Sequence, residues 1–197
     1  ALVQSVEGAE DDDAEGARAV TEAKVGANDV VIGIAASGTT PYTVGALRAA
    51  TAAGAVTIAL ANNRHAPLLE SARHPILVET SMEVIAGSTR MKAGTAQKIV
   101  LNLFSTAVMV KMGRVYRGLM VHMRATNTKL RRRAEVIVRQ IVNCSDADAA
   151  RYVEEADGDV KVAVLLGLGL EPKEAVDMLQ KYGGNLRLVI DRIADNG

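Results

Sequence analysis

Cysteine is nearly absent from this 197-residue chain, where Cys144 is the only one. A lone thiol closes no internal disulfide and builds no cysteine-rich zinc site, which fits a reducing cytoplasm. Aromatic residues are only 3%, too few rings for a nucleic-acid stacking platform. A surplus of positive charge is missing too. Lys plus Arg and Asp plus Glu number 23 each, whereas a chain devoted to nucleic acid carries a basic excess. No signal peptide is visible, and no run of apolar residues is long enough for a membrane span. The strongest run, residues 99–110, is broken by Asn102, Ser105 and Thr106. It is too short and too polar to cross a bilayer, so it is expected to be a buried helix. His65, His74 and His122 lack metal-ligand spacing, so no metal site is expected. What is present, 49% apolar and 23% charged residues, is the balance of an ordinary folded protein, expected in the cytoplasm with neither nucleic acid nor membrane as partner. The chain opens on Ala1 rather than methionine, inside a motif-like segment, and residues before Ala1 are expected.

The pattern along the chain is that of an α/β protein. Residues 14–24 are alanine-rich and suit a helix. Residues 29–35 form a short run rich in β-branched side chains, as buried parallel strands do. A polar loop, Ser37-Gly38-Thr39-Thr40, follows. Pro41 then opens a helix to about residue 53, with Thr40 placed to cap it. Further strands are expected at residues 55–60 and 75–79, with a loop and one helical turn between them. Strands alternating with helices imply a mostly parallel sheet. Long helices are expected at residues 91–112 and 127–142. From residue 146 the pattern changes to four short helices separated by glycines. Two domains are therefore expected, residues 1–143 and residues 144–197.

The loop after the first strand carries the clearest chemical signal. Helix N-termini present unpaired N–H groups and partial positive charge, so an anion such as phosphate is favoured there. Gly38 lets the backbone come close, and Ser37, Thr39 and Thr40 offer three hydroxyls. The bland alternative is a plain helix cap. Two acidic positions are candidate general bases. Glu10 lies in the cluster Glu7, Glu10, Asp11, Asp12 and Asp13, whose ordinary role is a solvated helix start. Glu83 precedes a run dense in donors, Gly87-Ser88-Thr89-Arg90-Met91-Lys92. There Ser88 or Thr89 is placed to cap the next helix. Cations at a helix N-terminus oppose its dipole, so Arg90 and Lys92 point to an anionic ligand or a subunit contact. Arg131-Arg132-Arg133 on a helix reads as a solvated face.

Taken in order, several motifs resemble one family over nearly the whole chain. They are Val6-Glu7-Gly8-Ala9-Glu10-Asp11, Gly33-Ile34-Ala35-Ala36-Ser37-Gly38, Thr40-Pro41-Tyr42, the block from Ile85 through Arg90 to Lys98, and Ala125-Thr126-Asn127. The chain resembles N-acetylmuramic acid 6-phosphate etherases, and more loosely sugar isomerase domains generally and the glucokinase regulatory protein. The resemblance implies a flavodoxin-like sugar isomerase domain followed by a small helical domain similar to ubiquitin-associated folds. It implies a lyase that turns N-acetylmuramic acid 6-phosphate and water into N-acetylglucosamine 6-phosphate and D-lactate, with no cofactor, acting as a homodimer. By the family pattern Glu10 matches the base. Ser37, Gly38, Thr39 and Thr40 match the second phosphate loop, and Glu83 matches, more loosely, an active-site glutamate. Ser88, Arg90 and Lys92 join the substrate-binding set. Three departures stand out. The family's preceding segment, with a first glycine-rich loop and a second catalytic glutamate, has no counterpart here. Thr39 replaces a usual arginine, and His122-Met123 replaces an acidic-then-apolar pair. Two competing readings are a non-catalytic sugar-phosphate sensor and an aldose–ketose isomerase. Glu10 argues against the first, and the Glu7 to Asp11 motif against the second.

Overall fold

The computed structural model describes residues 8–195. The calls on Val6 and Glu7 lie outside the described residues. Two compact units divide the chain, the first running to Leu103 and the second starting at Phe104. The helix that contains this division, α4 (Lys92–Lys111), is continuous.

The first unit begins with a 3-10 turn, Ala9–Asp11, and α1 (Asp13–Glu22). Next come β1 (Val30–Ile34), α2 (Pro41–Ala52), β2 (Val56–Ala61), a single turn α3 (Pro67–Glu70) and β3 (His74–Leu77). The three strands form a parallel sheet in the order β1-β2-β3. Val30 pairs with Val56 and Ile34 with Leu60, while Ile58 pairs with His74 and Ala61 with Leu77. Parallel strands need crossovers, and α2 and α3 supply them. The central strand is buried from Thr57 to Ala61, which explains its nearly unbroken apolar sequence. Leu47 and Val44 of α2, Ala59 of β2 and Leu68 of α3 share one core.

Two glycines set how α1 and α2 cross. A Cβ on Gly16 would lie 2.0 Å from the Tyr42 carbonyl oxygen, and one on Gly45 would lie 2.1 Å from the Asp13 carbonyl oxygen. Each helix thus presents a bare backbone where the other's first turn passes. This contact brings the N-terminal ends of α1 and α2 side by side.

The second unit carries a two-stranded hairpin, β4 (Val115–Tyr116) and β5 (Leu119–Met120), which the sequence pattern did not foretell. Arg117 (φ 48°) and Gly118 (φ 79°) turn it, as the mirror-image two-residue turns of hairpins do. It continues with α5 (Thr128–Val142), α6 (Asp146–Glu155), α7 (Val160–Gly167), α8 (Pro172–Lys181) and α9 (Leu186–Ala194). The four short helices expected beyond residue 146 are therefore present. Their core is nearly all aliphatic, with α7 buried from Val160 to Leu166, and Ala134, Ile137 and Val138 of α5 belong to it. Polar caps fix where four of these helices start, and Pro172 opens α8. Asn127, Ser145, Asp159 and Asn185 all accept backbone N–H bonds at the first turns of α5, α6, α7 and α9. Lys161, buried, donates its ammonium to the Gly184 carbonyl.

One expectation is corrected. The apolar run at residues 99–110 is helical but not buried, because no described element covers it. Of α4, only Ala93 is buried, while Ile99, Leu103, Phe104 and Val110 are exposed. No helix among the described residues is long and apolar enough to cross a membrane.

Candidate anion cleft at the carboxyl end of the sheet

Segment 35–40 leaves β1 at its carboxyl end, where open parallel sheets bind ligands. Several bonds fix its path. Ala35 N–H donates to the Leu60 carbonyl at 3.1 Å, and Asn62 N–H to the Ala36 carbonyl at 3.0 Å. Leu68 N–H donates to the Gly38 carbonyl at 3.0 Å. Gly38 has a φ of 68°, and a Cβ there would lie 2.4 Å from the Ala66 Cβ and 3.0 Å from the Ala61 Cβ. Both backbone conformation and space therefore require glycine.

Ser37 Oγ accepts from Thr39 N–H at 3.2 Å and from the Thr39 hydroxyl at 3.0 Å. With both lone pairs engaged, its own hydroxyl proton is left as a donor. Thr40 occupies the cap position of α2, but its side chain makes no cap bond there, contrary to the expected cap. Its carbonyl instead accepts from Thr43 and Val44 N–H, each at 3.1 Å. The hydroxyl stays available, and Pro41 removes one N–H from the first turn.

This loop faces the 3-10 turn. One cleft is lined by Gly8, Glu10, Asp11 and Asp12 on one wall and by Ser37, Thr39, Thr40 and Tyr42 on the other, with Thr89 also at its edge. The α1–α2 crossing is what brings these walls together. Asp12 is used up as the cap of α1, accepting from Glu15 N–H at 2.9 Å. Glu15 pairs with Arg18. Among the described residues nothing engages the Glu10 carboxylate, which is exposed to the cleft. The N-termini of α1 and α2 thus open onto one cleft that has a carboxylate on its wall.

Glu83 has a different position. Its carboxylate accepts from Lys92 N–H at 2.9 and 3.1 Å and from Ala93 N–H at 3.1 Å. It therefore caps α4 from nine residues upstream, in place of the expected Ser88 or Thr89 cap. A carboxylate suits that end of the dipole, and it offsets the unfavourable Lys92. The Lys92 ammonium turns back to Ser81 Oγ at 2.8 Å and the Met82 carbonyl at 2.5 Å. Glu83, Ser88 and Thr89 line a second, smaller hollow together with Ala36, Ser37, Asn62 and Asn63. Segment 36–37 is therefore the wall between the two hollows. Arg90 and Lys92 flank a shallow groove with Thr80 and Ile99, away from the main cleft lining.

Reading the sequence for chemistry missed the residues behind the loop. Asn62 is buried, donates to the Val78 carbonyl at 2.8 Å and accepts from Gln97 at 2.8 Å. Asn63 donates to the Ala36 and Ser37 carbonyls at 3.2 and 3.4 Å. Arg64 makes a two-pronged pair with Glu79, whose hydrogen bond from the guanidinium holds the Glu79 carboxyl below its usual range. No group of His, Cys, Asp and Glu among the described residues could hold a metal ion.

The SIS domain profile matches residues 10–107, the stretch holding the loop, Glu10 and Glu83. The chain is 52% identical over 192 residues to an N-acetylmuramic acid 6-phosphate etherase of Deinococcus radiodurans, covering 96% of this chain and 63% of that protein. Proteins of the same name from Halalkalibacterium halodurans and Rhizobium rhizogenes are 45% and 46% identical, over 98% and 96% of this chain and 65% and 62% of theirs. The chain spans under two thirds of the length of these curated relatives. Over residues 10–107 the chain thus matches the SIS domain, and over nearly its whole length it is similar to the N-acetylmuramic acid 6-phosphate etherases.

Proposed function

We propose that this chain is the phosphosugar-binding and base-carrying part of a carbon–oxygen lyase that removes D-lactate from N-acetylmuramic acid 6-phosphate. The observation that carries the reading is the placement of an unengaged carboxylate, Glu10, across one cleft from a donor-rich loop at a helix N-terminus. Its likeness to curated etherases over nearly its full length agrees with it.

The chemistry suits this layout. In the open-chain sugar the aldehyde at carbon 1 acidifies the proton on carbon 2. Glu10 takes that proton as general base. The electron pair forms the C2–C3 double bond, the C3–O bond breaks, and the lactyl oxygen leaves with its electron pair and takes up a proton. Water then adds its oxygen to carbon 3 and a proton to carbon 2, giving N-acetylglucosamine 6-phosphate. The loop of Ser37, Gly38, Thr39 and Thr40 holds the 6-phosphate, so that binding energy remote from the reaction fixes the reacting end. Glu83 and Ser88 line the neighbouring hollow. With its oxygens taken by the α4 amides, Glu83 is assigned to hold that segment against the loop. Arg90 and Lys92 are assigned to the rim. No cofactor enters these steps. The same reading assigns the protein to the cytoplasm, where charged sugar phosphates are retained, and makes it a homodimer through the exposed face of α4.

The test is D-lactate release from N-acetylmuramic acid 6-phosphate by the chain and by Glu10→Gln. Release by the parent and its loss in the variant support the lyase. A folded parent that binds N-acetylglucosamine 6-phosphate but releases no lactate would instead favour a sugar-phosphate-binding protein without catalysis.

A further inference from the structure

Three carbonyls of the loop, those of Ala36, Ser37 and Gly38, are held from one side. Ala36 O accepts from Asn62 N–H at 3.0 Å and from Asn63 Nδ2 at 3.2 Å, so both its lone pairs are engaged. Ser37 O accepts from the same Asn63 amide at 3.4 Å, and Gly38 O from Leu68 N–H at 3.0 Å. These donors come from the segment after β2, Asn62 and Asn63, and from the first turn of α3, Leu68. In a trans peptide the N–H points opposite to the C=O. Holding the Ala36 and Ser37 carbonyls toward that segment therefore turns the Ser37 and Gly38 N–H groups the other way. Asn63 lines the small hollow and not the main cleft, whereas Ala36 and Ser37 line both. The side opposite Asn63 is the cleft that holds Glu10.

We propose that Asn63 is a positioning residue of the anion loop. Its side-chain amide holds two carbonyls back and so aims the Ser37 and Gly38 N–H groups into the cleft, as a preformed nest for a phosphate monoester. The inference rests on the phosphate-loop reading above. Without Asn63 the Ser37 carbonyl loses its partner and the Ser37–Gly38 peptide can rotate to present that oxygen, which repels an anion, while the Ala36 carbonyl keeps only the Asn62 N–H. Asn63 is itself exposed, so little packing depends on it. Its neighbours Asn62 and Arg64, fixed by Val78, Gln97 and Glu79, hold its backbone in place.

The experiment titrates the full chain, Asn63→Ala and Asn63→Asp with N-acetylglucosamine 6-phosphate by calorimetry. It also follows the Ser37 and Gly38 amide resonances while inorganic phosphate is added. Losing the amide should weaken sugar-phosphate binding about tenfold, the worth of one hydrogen bond to a charged group. Asn63→Asp keeps the side-chain shape but sets a carboxylate against two carbonyls, so it should bind more weakly than Asn63→Ala. In both variants the phosphate-induced shifts at Ser37 and Gly38 should shrink while the thermal midpoint stays at the parent value. Parent-like affinity and shifts in Asn63→Asp would overturn the proposal alone. So would a loss that merely tracks a fall in melting temperature. A parent that binds neither ligand would overturn the phosphate-loop reading, and this inference with it.

Discussion

At the scale of single residues, Gly38 shows how tightly the candidate site is specified. Its φ of 68° and the 2.4 Å approach of the Ala66 methyl leave no room for a side chain. Gly38→Ala should cost about 1–3 kcal/mol through strain and overpacking and should abolish sugar-phosphate binding. Thermal denaturation and calorimetric titration of the purified variant check both effects. Binding at parent affinity would show that the loop is not the anion site. The loop was legible in the sequence because its chemistry is local: a strand, then Ser, Gly, Thr, Thr, Pro. Glu10 as an isolated acid was ambiguous, and its place opposite the loop follows only from tertiary packing. The role of Glu83 was not legible at all. Its partners, the Lys92 and Ala93 amides, are nine and ten residues away across an irregular segment, and no short-range capping pattern covers that span. Asn63 escaped for the same reason, since what it touches lies 27 residues earlier.

The elements follow their sequence patterns closely where periodicity and end signals agree. Pro41 starts α2, the apolar run of β2 is the buried central strand, and the four short helices α6 to α9 are present beyond residue 146 as the spacing of glycines implied. The hairpin of β4 and β5 went unread because two residues a strand leave no period to detect, and Arg-Gly is a weak turn signal beside Asn-Gly. What the local pattern could not reveal is the purpose of Gly16 and Gly45. Inside helices glycine costs about 1 kcal/mol, and that penalty is offset here by the close crossing of α1 and α2. Gly16→Ala sets a methyl 2.0 Å from the Tyr42 carbonyl oxygen and must push α1 outward. The 3-10 turn with Glu10 moves with α1, whereas the Ser37–Thr40 loop is held from the β2 side and α3. The variant should therefore lose most of its lactate release, by about a hundredfold for a displaced base, while keeping much of its affinity for N-acetylglucosamine 6-phosphate. Parallel loss of both would mean that the crossing serves the loop rather than the base.

At the scale of the whole molecule, the apolar surface of α4 decides the argument. A twenty-residue helix with a single buried residue is not stabilised by the packing around it. Leu103 is 66% exposed, and Ile99, Phe104, Met109 and Val110 are open to solvent with it. Met82, Val84 and Ile85 add more apolar surface in the segment before α4. Patches of this kind mark interaction surfaces. A helix carrying mostly aliphatic side chains and few charges on that face is suited to pack against a copy of itself, since a two-fold interface needs only one self-complementary patch. A stable pair would bury about 1,200–2,000 Å². The chain should therefore run at twice 20.7 kDa in light scattering at micromolar concentration. Leu103→Glu together with Ile99→Glu should shift it to the monomer by placing charges at the centre of the contact, with the helix content unchanged. A monomeric parent that binds a hydrophobic dye along α4 would sink the dimer and leave that face without an internal partner.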